Sequence, residues 1–128
     1  MDKFNKWKLS RSFSDAFRGL KVIFKNETNF RIELVVAVIT ILFGFLFKIS
    51  HTDWIAISIV MSLVFISESI NSSIEALSDT MSKDFKINIK YAKDVSGGAV
   101  LISSIASLIT GLVIFIPYVI ELVKNILA

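Results

Sequence analysis

Residues 54–79 read WIAISIVMSLVFISESINSSIEALSD. The first half is a continuous apolar run of the kind that crosses a membrane as a helix. The second half carries three carboxylates, Glu68, Glu75 and Asp79, together with Asn71 and several serines. On a helix turning about 100° per residue, Glu75 and Asp79 fall within about 20° of Glu68. Asn71 and Ser72 flank that stripe, and Ile66, Ile70, Ile74 and Leu77 fall opposite. Carboxylates sharing one stripe do not all stay ionised cheaply without a cation or a basic partner. A solvated helix end would also tolerate acids, but it accounts poorly for Glu68, which only Ser67 separates from "VFI". An acid at membrane depth marks a functional site. The residue types suit a divalent cation held by carboxylate oxygens and a general base facing a lipid hydroxyl.

The rest of the chain fits this frame. Its 128 residues make one domain, 1–128, and 54% are hydrophobic, in blocks too long for an ordinary soluble domain of this size. There is no Cys, so disulfides, thiolate metal sites and Cys nucleophiles are excluded. The one His, His51, leaves a His-rich metal site or a Ser-His-Asp triad without material. Apolar runs at 34–47 and 97–120 flank the central one. Extended to their polar borders, they predict membrane-spanning helices at about 31–50, 54–80 and 95–123, the second reaching into the cytoplasm. Residues 7–25 predict an amphipathic helix in the membrane interface. Phe13, Ala16, Phe17, Leu20, Ile23 and Phe24 line one side of it, opposite Arg11, Ser14, Asp15, Arg18 and Lys21. The first long apolar run starts too late for the core of a signal peptide, so none is expected.

Twelve of the fourteen Lys and Arg lie in the N-terminal segment and the 80–95 connection. The excess of positive charge predicts that both face the cytoplasm, which puts the 48–53 turn and the C-terminus outside. The fold class expected is therefore an all-α membrane protein in the cytoplasmic (cell) membrane, with three spans after an interfacial helix.

Two further stretches carry chemistry. In "NETNFRIE", 26–33, Glu27 precedes the first span and Glu33 lies just inside it. Glu27 would stand at the membrane level of Glu75, although it also has Lys25 and Arg31 as sequence neighbours to pair with. In "AKDVSGGAVLI", 92–102, Lys93 and Asp94 precede Ser96, Gly97 and Gly98 at the expected start of the third span. A helix N-terminus beside a Lys would suit a phosphate. A small-residue packing patch capped by Ser or Asp is the plainer reading. No GxxxxGK[ST] occurs, so this is no P-loop.

With these stretches in place, "ESINSSIEALSD" resembles the E-x-x-N-[ST]-A-I-E-x-x-x-D signature of the prokaryotic diacylglycerol kinase family, which includes Gram-positive undecaprenol kinases. "NETNFRIE" is similar to its N-E-x-x-F-R segment and "AKDVSGGAVLI" to its A-K-D-x-x-x-x-A-V-L-[IL] segment. The resemblance covers about residues 7–118 in order and spacing. It implies an integral-membrane, ATP- and Mg²⁺-dependent lipid kinase forming a homotrimeric helical bundle, with active sites between protomers at the cytoplasmic interface and no nucleic-acid partner. It implies Glu68 as catalytic base, Glu27 and Glu75 as Mg²⁺ ligands holding MgATP, and Asn71 and Asp79 as polar support. Nucleotide contacts are implied at Lys93 and Asp94, at Asp84, Phe85 and Lys86, and at Lys8 or Arg11 on the N-terminal helix. Phe30, Arg31 and Glu33 stand on the lipid side. Ser73 replaces the usual Ala, "KDFK" replaces an "EYH"-like loop, and Asp15 stands where some members have an aromatic. The acceptor implied is undecaprenol, with diacylglycerol as the alternative. Outside that class, a small oligomeric channel or other nonenzymatic membrane protein would carry its acids along a span, whereas here they gather at one end.

Overall fold

The computed structural model describes the backbone of residues 3–81 and 87–128, with Asp84, Phe85 and Lys86 outside the described residues. Four helices follow one another: α1 (Lys3–Asn26), α2 (Thr28–Phe47), α3 (His51–Met81) and α4 (Ile87–Leu127). The last three are long and apolar enough to cross a membrane. At 1.5 Å per residue, the 31 residues of α3 extend about 46 Å and the 41 of α4 about 62 Å, so both outrun a ~30 Å hydrocarbon core. Most of the large apolar side chains on α2, α3 and α4 face outward, as lipid-facing helices require.

The turn between α2 and α3 is fixed by its own chemistry. Lys48 adopts the left-handed conformation, φ 51° and ψ 51°, and ends α2. Its N–H donates to Phe45 O at 3.3 Å, and that of Ile49 donates to Gly44 O at 3.2 Å. These bonds satisfy the last carbonyls of α2, and the buried Ile49 supplies the apolar contact that accompanies such an ending. Ser50 then opens α3. Asp53 N–H donates to Ser50 Oγ at 3.1 Å while Ser50 N–H donates to Asp53 Oδ2 at 3.3 Å, a reciprocal capping box.

Behind this turn lies the packed core of the chain. Ile49, Ile57 and Ile114 are buried there, with Phe47, Trp54, Ala56, Met61, Phe115 and Tyr118 against them. Gly44 makes room for it: a Cβ at that position would lie 2.6 Å from Trp54 Cη2 and 3.2 Å from Ile49 Cδ1. Trp54 also packs at a tilt against Phe45, ring centres 4.9 Å apart, which limits how far its ring can shift. Gly44→Ala is expected to destabilise the protein by about 1–3 kcal/mol through overpacking. Thermal unfolding in detergent measures this, and an unchanged transition would show the indole to be mobile.

Helices α3 and α4 run antiparallel and are tied by polar bridges along their length. Lys93 Nζ reaches Asp79 Oδ1 at 3.3 Å, Ser96 Oγ donates to Asn71 Oδ1 at 2.7 Å, Ser67 and Ser103 share a bond of 2.7 Å, and Tyr118 OH donates to Asp53 Oδ2 at 3.0 Å. Between helices in a membrane each of the three part-buried bonds contributes about 0.6 kcal/mol on average, the exposed Lys93–Asp79 pair adds little, and together they set the register. Ser58, Ser62 and Ser69 turn their hydroxyls back onto carbonyls of the preceding turn, which lets an apolar helix carry them.

One expectation fails here. Helix α4 begins at Ile87, eight residues before position 95, so Lys93, Asp94, Ser96, Gly97 and Gly98 all lie inside it. No helix N-terminus exists at the glycine pair to hold a phosphate or to need a Ser or Asp cap. Within the chain the two glycines meet no neighbour closely, since a Cβ on Gly97 or Gly98 would find nothing within 4 Å. Polar side chains that looked like a loop form a helical turn because Lys90 pairs with Asp94 four residues on and Lys93 pairs with Asp79 across the helices.

Candidate active site

The acidic stripe lies at the end of α3 remote from the packed core. Glu68 is only 2% exposed. Glu75 is half-buried and Asp79 is exposed. Opposite them Ile66, Ile70 and Leu77 point outward, as the helical projection requires.

An aromatic pair seats α2 on this end of α3. Phe30 is buried, and its ring lies 5.2 Å from that of Phe65. Phe65 precedes Glu68 by one turn, and Phe30 stands one turn from both Glu27 and Glu33. The ring contact therefore carries Glu27, at the start of α2, and Glu33, within it, to the stripe. Glu27 and Glu75 are the charged neighbours of Glu68, and Glu68 is that of Glu33. Carboxylates 41 residues apart in sequence, Glu27 and Glu68, thus share one site. Phe30 acts as the anchor of that arrangement.

No described basic group pairs with Glu27, Glu33, Glu68 or Glu75. The ion pairs among the described residues join Arg18 to Asp15, Lys90 to Asp94 and Lys93 to Asp79. Arg31 gives its guanidinium to Phe24 O, Lys25 O and Thr28 Oγ1 instead, so the pairing of Glu27 with Arg31 or Lys25 that its sequence neighbours offered is not formed. Among the described residues two polar atoms are buried without a hydrogen bond, Glu33 Oε2 and Ser72 Oγ. Ser72 stood on the stripe in projection, yet nothing in the sequence marked it off from serines that bond their own helix.

The oxygen-only donor set suits a hard cation such as Mg²⁺. Among the described residues no three acidic or His side chains close around a point as a complete metal cage. Two carboxylates with further ligands from phosphate and water are the arrangement Mg²⁺ commonly takes at phosphate-transfer sites, and Glu27 and Glu75 fit it. Asn71 is held from α4 by Ser96, and Asp79 by Lys93. Asp94 is engaged with Lys90. Lys8 and Arg11 are exposed on α1, and no described ion pair brings them to the acids.

Below the acids opens an apolar groove of about 530 Å³ between α2, α3 and α4, lined by side chains such as Val36, Phe43, Met61 and Leu108. Glu33 contributes the one carboxylate to its wall. A long apolar molecule with a polar head would find in it a hydrocarbon seat leading to a cluster of carboxylates.

A family profile described as prokaryotic diacylglycerol kinase matches residues 14–115. The chain is 33% identical to an undecaprenol kinase of Bacillus subtilis, covering 84% of this chain and 87% of that one. It is 30% identical to a diacylglycerol kinase of Synechocystis over 87% of this chain and 64% of that one. It is also 30% identical to the diacylglycerol kinase of Escherichia coli over 74% and 78%.

Proposed function

This chain belongs to the prokaryotic diacylglycerol kinase family, and from that premise we propose that it is a membrane lipid kinase that moves the γ-phosphoryl group of ATP to undecaprenol. The observation that carries the reading is the buried Glu68 beside Glu27 and Glu75, with which no described basic side chain pairs, at the head of an apolar groove. A phosphoryl transfer asks the protein for positioning and charge compensation and for little covalent work. The acceptor oxygen attacks the γ-phosphorus, the bond to the bridging oxygen breaks, ADP leaves and the hydroxyl proton goes to Glu68. Glu68 enters no ion pair among the described residues, so its carboxylate is available to take that proton. Glu27 and Glu75 hold Mg²⁺, which when bound offsets the charge of the ATP phosphates. Lys93, tethered to Asp79, adds positive charge beside the nucleotide, with Asp94 close by on α4. Asn71 and Asp79 keep the α3–α4 register on which these positions depend.

The acceptor reaches the site within the bilayer, its chain along the groove and its hydroxyl past Glu33. Lys8 and Arg11, with Asp84, Phe85 and Lys86, complete the nucleotide site across protomers of a homotrimer. Helix α1 rests in the cytoplasmic interface, the N-terminus is cytoplasmic and the C-terminus lies outside. The sequence similarity to the Bacillus enzyme across most of both chains supports undecaprenol over diacylglycerol.

A competition assay tests the acceptor. With both lipids in one vesicle preparation and ATP in excess, undecaprenyl phosphate should dominate the product. A majority of phosphatidic acid would move the assignment to diacylglycerol kinase, and no phosphorylated lipid would return the chain to the nonenzymatic readings. The groove has its own check at Gly111, which lines it and where a Cβ meets nothing within 4 Å. Gly111→Phe should raise the KM for the lipid severalfold and leave that for ATP alone, and an unmoved lipid KM would place the chain elsewhere.

A further inference from the structure

We propose that Arg31 is a positioning residue for the metal-binding carboxylate Glu27, pinning the corner between α1 and α2 that holds Glu27 beside Glu68. The corner is a single residue wide. Glu27 N–H closes α1 by donating to Ile23 O at 2.9 Å, and Glu27 O opens α2 by accepting from Arg31 N–H at 3.4 Å. Its backbone is extended, φ −104° and ψ 114°, and its side chain makes no capping bond although it occupies the N-cap position. Glu is a poor choice for a cap, and Asn26 and Thr28 on either side are of the types that cap well. The carboxylate has thus been kept from local use.

A corner of this kind needs something else to fix its angle. The break strands the last carbonyls of α1, and the first backbone bond of α2 is long. Arg31 supplies the missing ties. Its Nη1 donates to Lys25 O at 2.7 Å and to Phe24 O at 3.2 Å, and its Nη2 donates to Thr28 Oγ1 at 3.0 Å. One planar guanidinium thereby binds the last turn of α1 to the first turn of α2, on either side of Glu27. Such a fork is stiff, and a Lys point charge would reproduce it only in part. The role differs from a lipid-side contact, because the guanidinium donors are turned to the corner.

The inference rests on Glu27 as a metal ligand, and a metal-binding measurement separates the two. Mn²⁺, a paramagnetic cation that takes the same oxygen ligands, is titrated into purified protein with a non-hydrolysable ATP analogue and followed by electron paramagnetic resonance. Arg31→Gln should weaken Mn²⁺ binding about tenfold, the scale of losing a group that orients a metal ligand. Arg31→Lys should recover part of the loss. In a Glu27→Gln background, Arg31→Gln should add nothing further, since both act through one carboxylate. The lipid KM should stay unchanged. Unaltered Mn²⁺ affinity, losses that multiply in the double variant, or a raised lipid KM with normal Mn²⁺ binding would each overturn the pin. If Arg31→Gln does not fold, Thr28→Val removes only the 3.0 Å tie and should shift Mn²⁺ affinity the same way; no shift there overturns the pin as well. Wild-type protein that takes up no Mn²⁺ overturns the assignment of Glu27 and the pin together, whereas wild-type uptake that Arg31→Gln leaves intact overturns the pin alone.

Discussion

Glu68→Gln should lower kcat by about 10²–10⁴-fold, the usual worth of a positioned general base. The substitution keeps volume and shape at a site that is 2% exposed, so packing around Phe30 and Phe65 is retained. It removes a like charge from a crowded cluster, and folded stability should hold or rise. The KM for ATP should change little, because the lost group acts on the acceptor proton. Steady-state kinetics beside thermal unfolding separates these effects. Near-normal kcat in a folded variant would remove Glu68 from the proton step.

Glu75→Ala should act differently. Glu75 stands two turns along α3 from Glu68 on the same stripe, and is half-buried where Glu68 is sealed. As a metal ligand it should set the Mg²⁺ requirement. Losing a group that merely orients a ligand costs 10–100-fold in metal affinity, so losing a ligand should raise half-saturating Mg²⁺ by at least about tenfold. Turnover at saturating Mg²⁺ should recover further than in Glu68→Gln. A Mg²⁺ titration of turnover reads this directly, and an unshifted curve would place the metal elsewhere.

The sequence made the three long apolar helices and the acidic stripe legible, because length, charge and helical angle speak directly to both. It did not show where α4 begins. Residues 87–94 are polar enough to pass for loop, and only the Lys90–Asp94 and Lys93–Asp79 pairs show why they are helical. Nor did it show the core. In lipid both faces of a span are apolar, so the periodicity that betrays the buried side of a soluble helix is absent. The gathering of Ile49 from the turn, Ile57 from α3 and Ile114 from α4 had no signature in the sequence. The site was legible in residue types and not in contacts. Glu27 could have paired with Arg31, and no spacing tied Phe30 or Arg31 to a partner within the chain. The ring contact with Phe65 and the carbonyls of Phe24 and Lys25 are tertiary facts that no spacing encodes.

The most direct measurement follows the label of [γ-³²P]ATP into lipid, with purified wild-type protein, Mg²⁺ and undecaprenol in detergent or vesicles. Label should appear in a lipid phosphate with the wild-type chain and be nearly absent with folded Glu68→Gln. Label that stays in ATP and inorganic phosphate with the wild type, or lipid labelling that Glu68→Gln leaves untouched, would contradict the account.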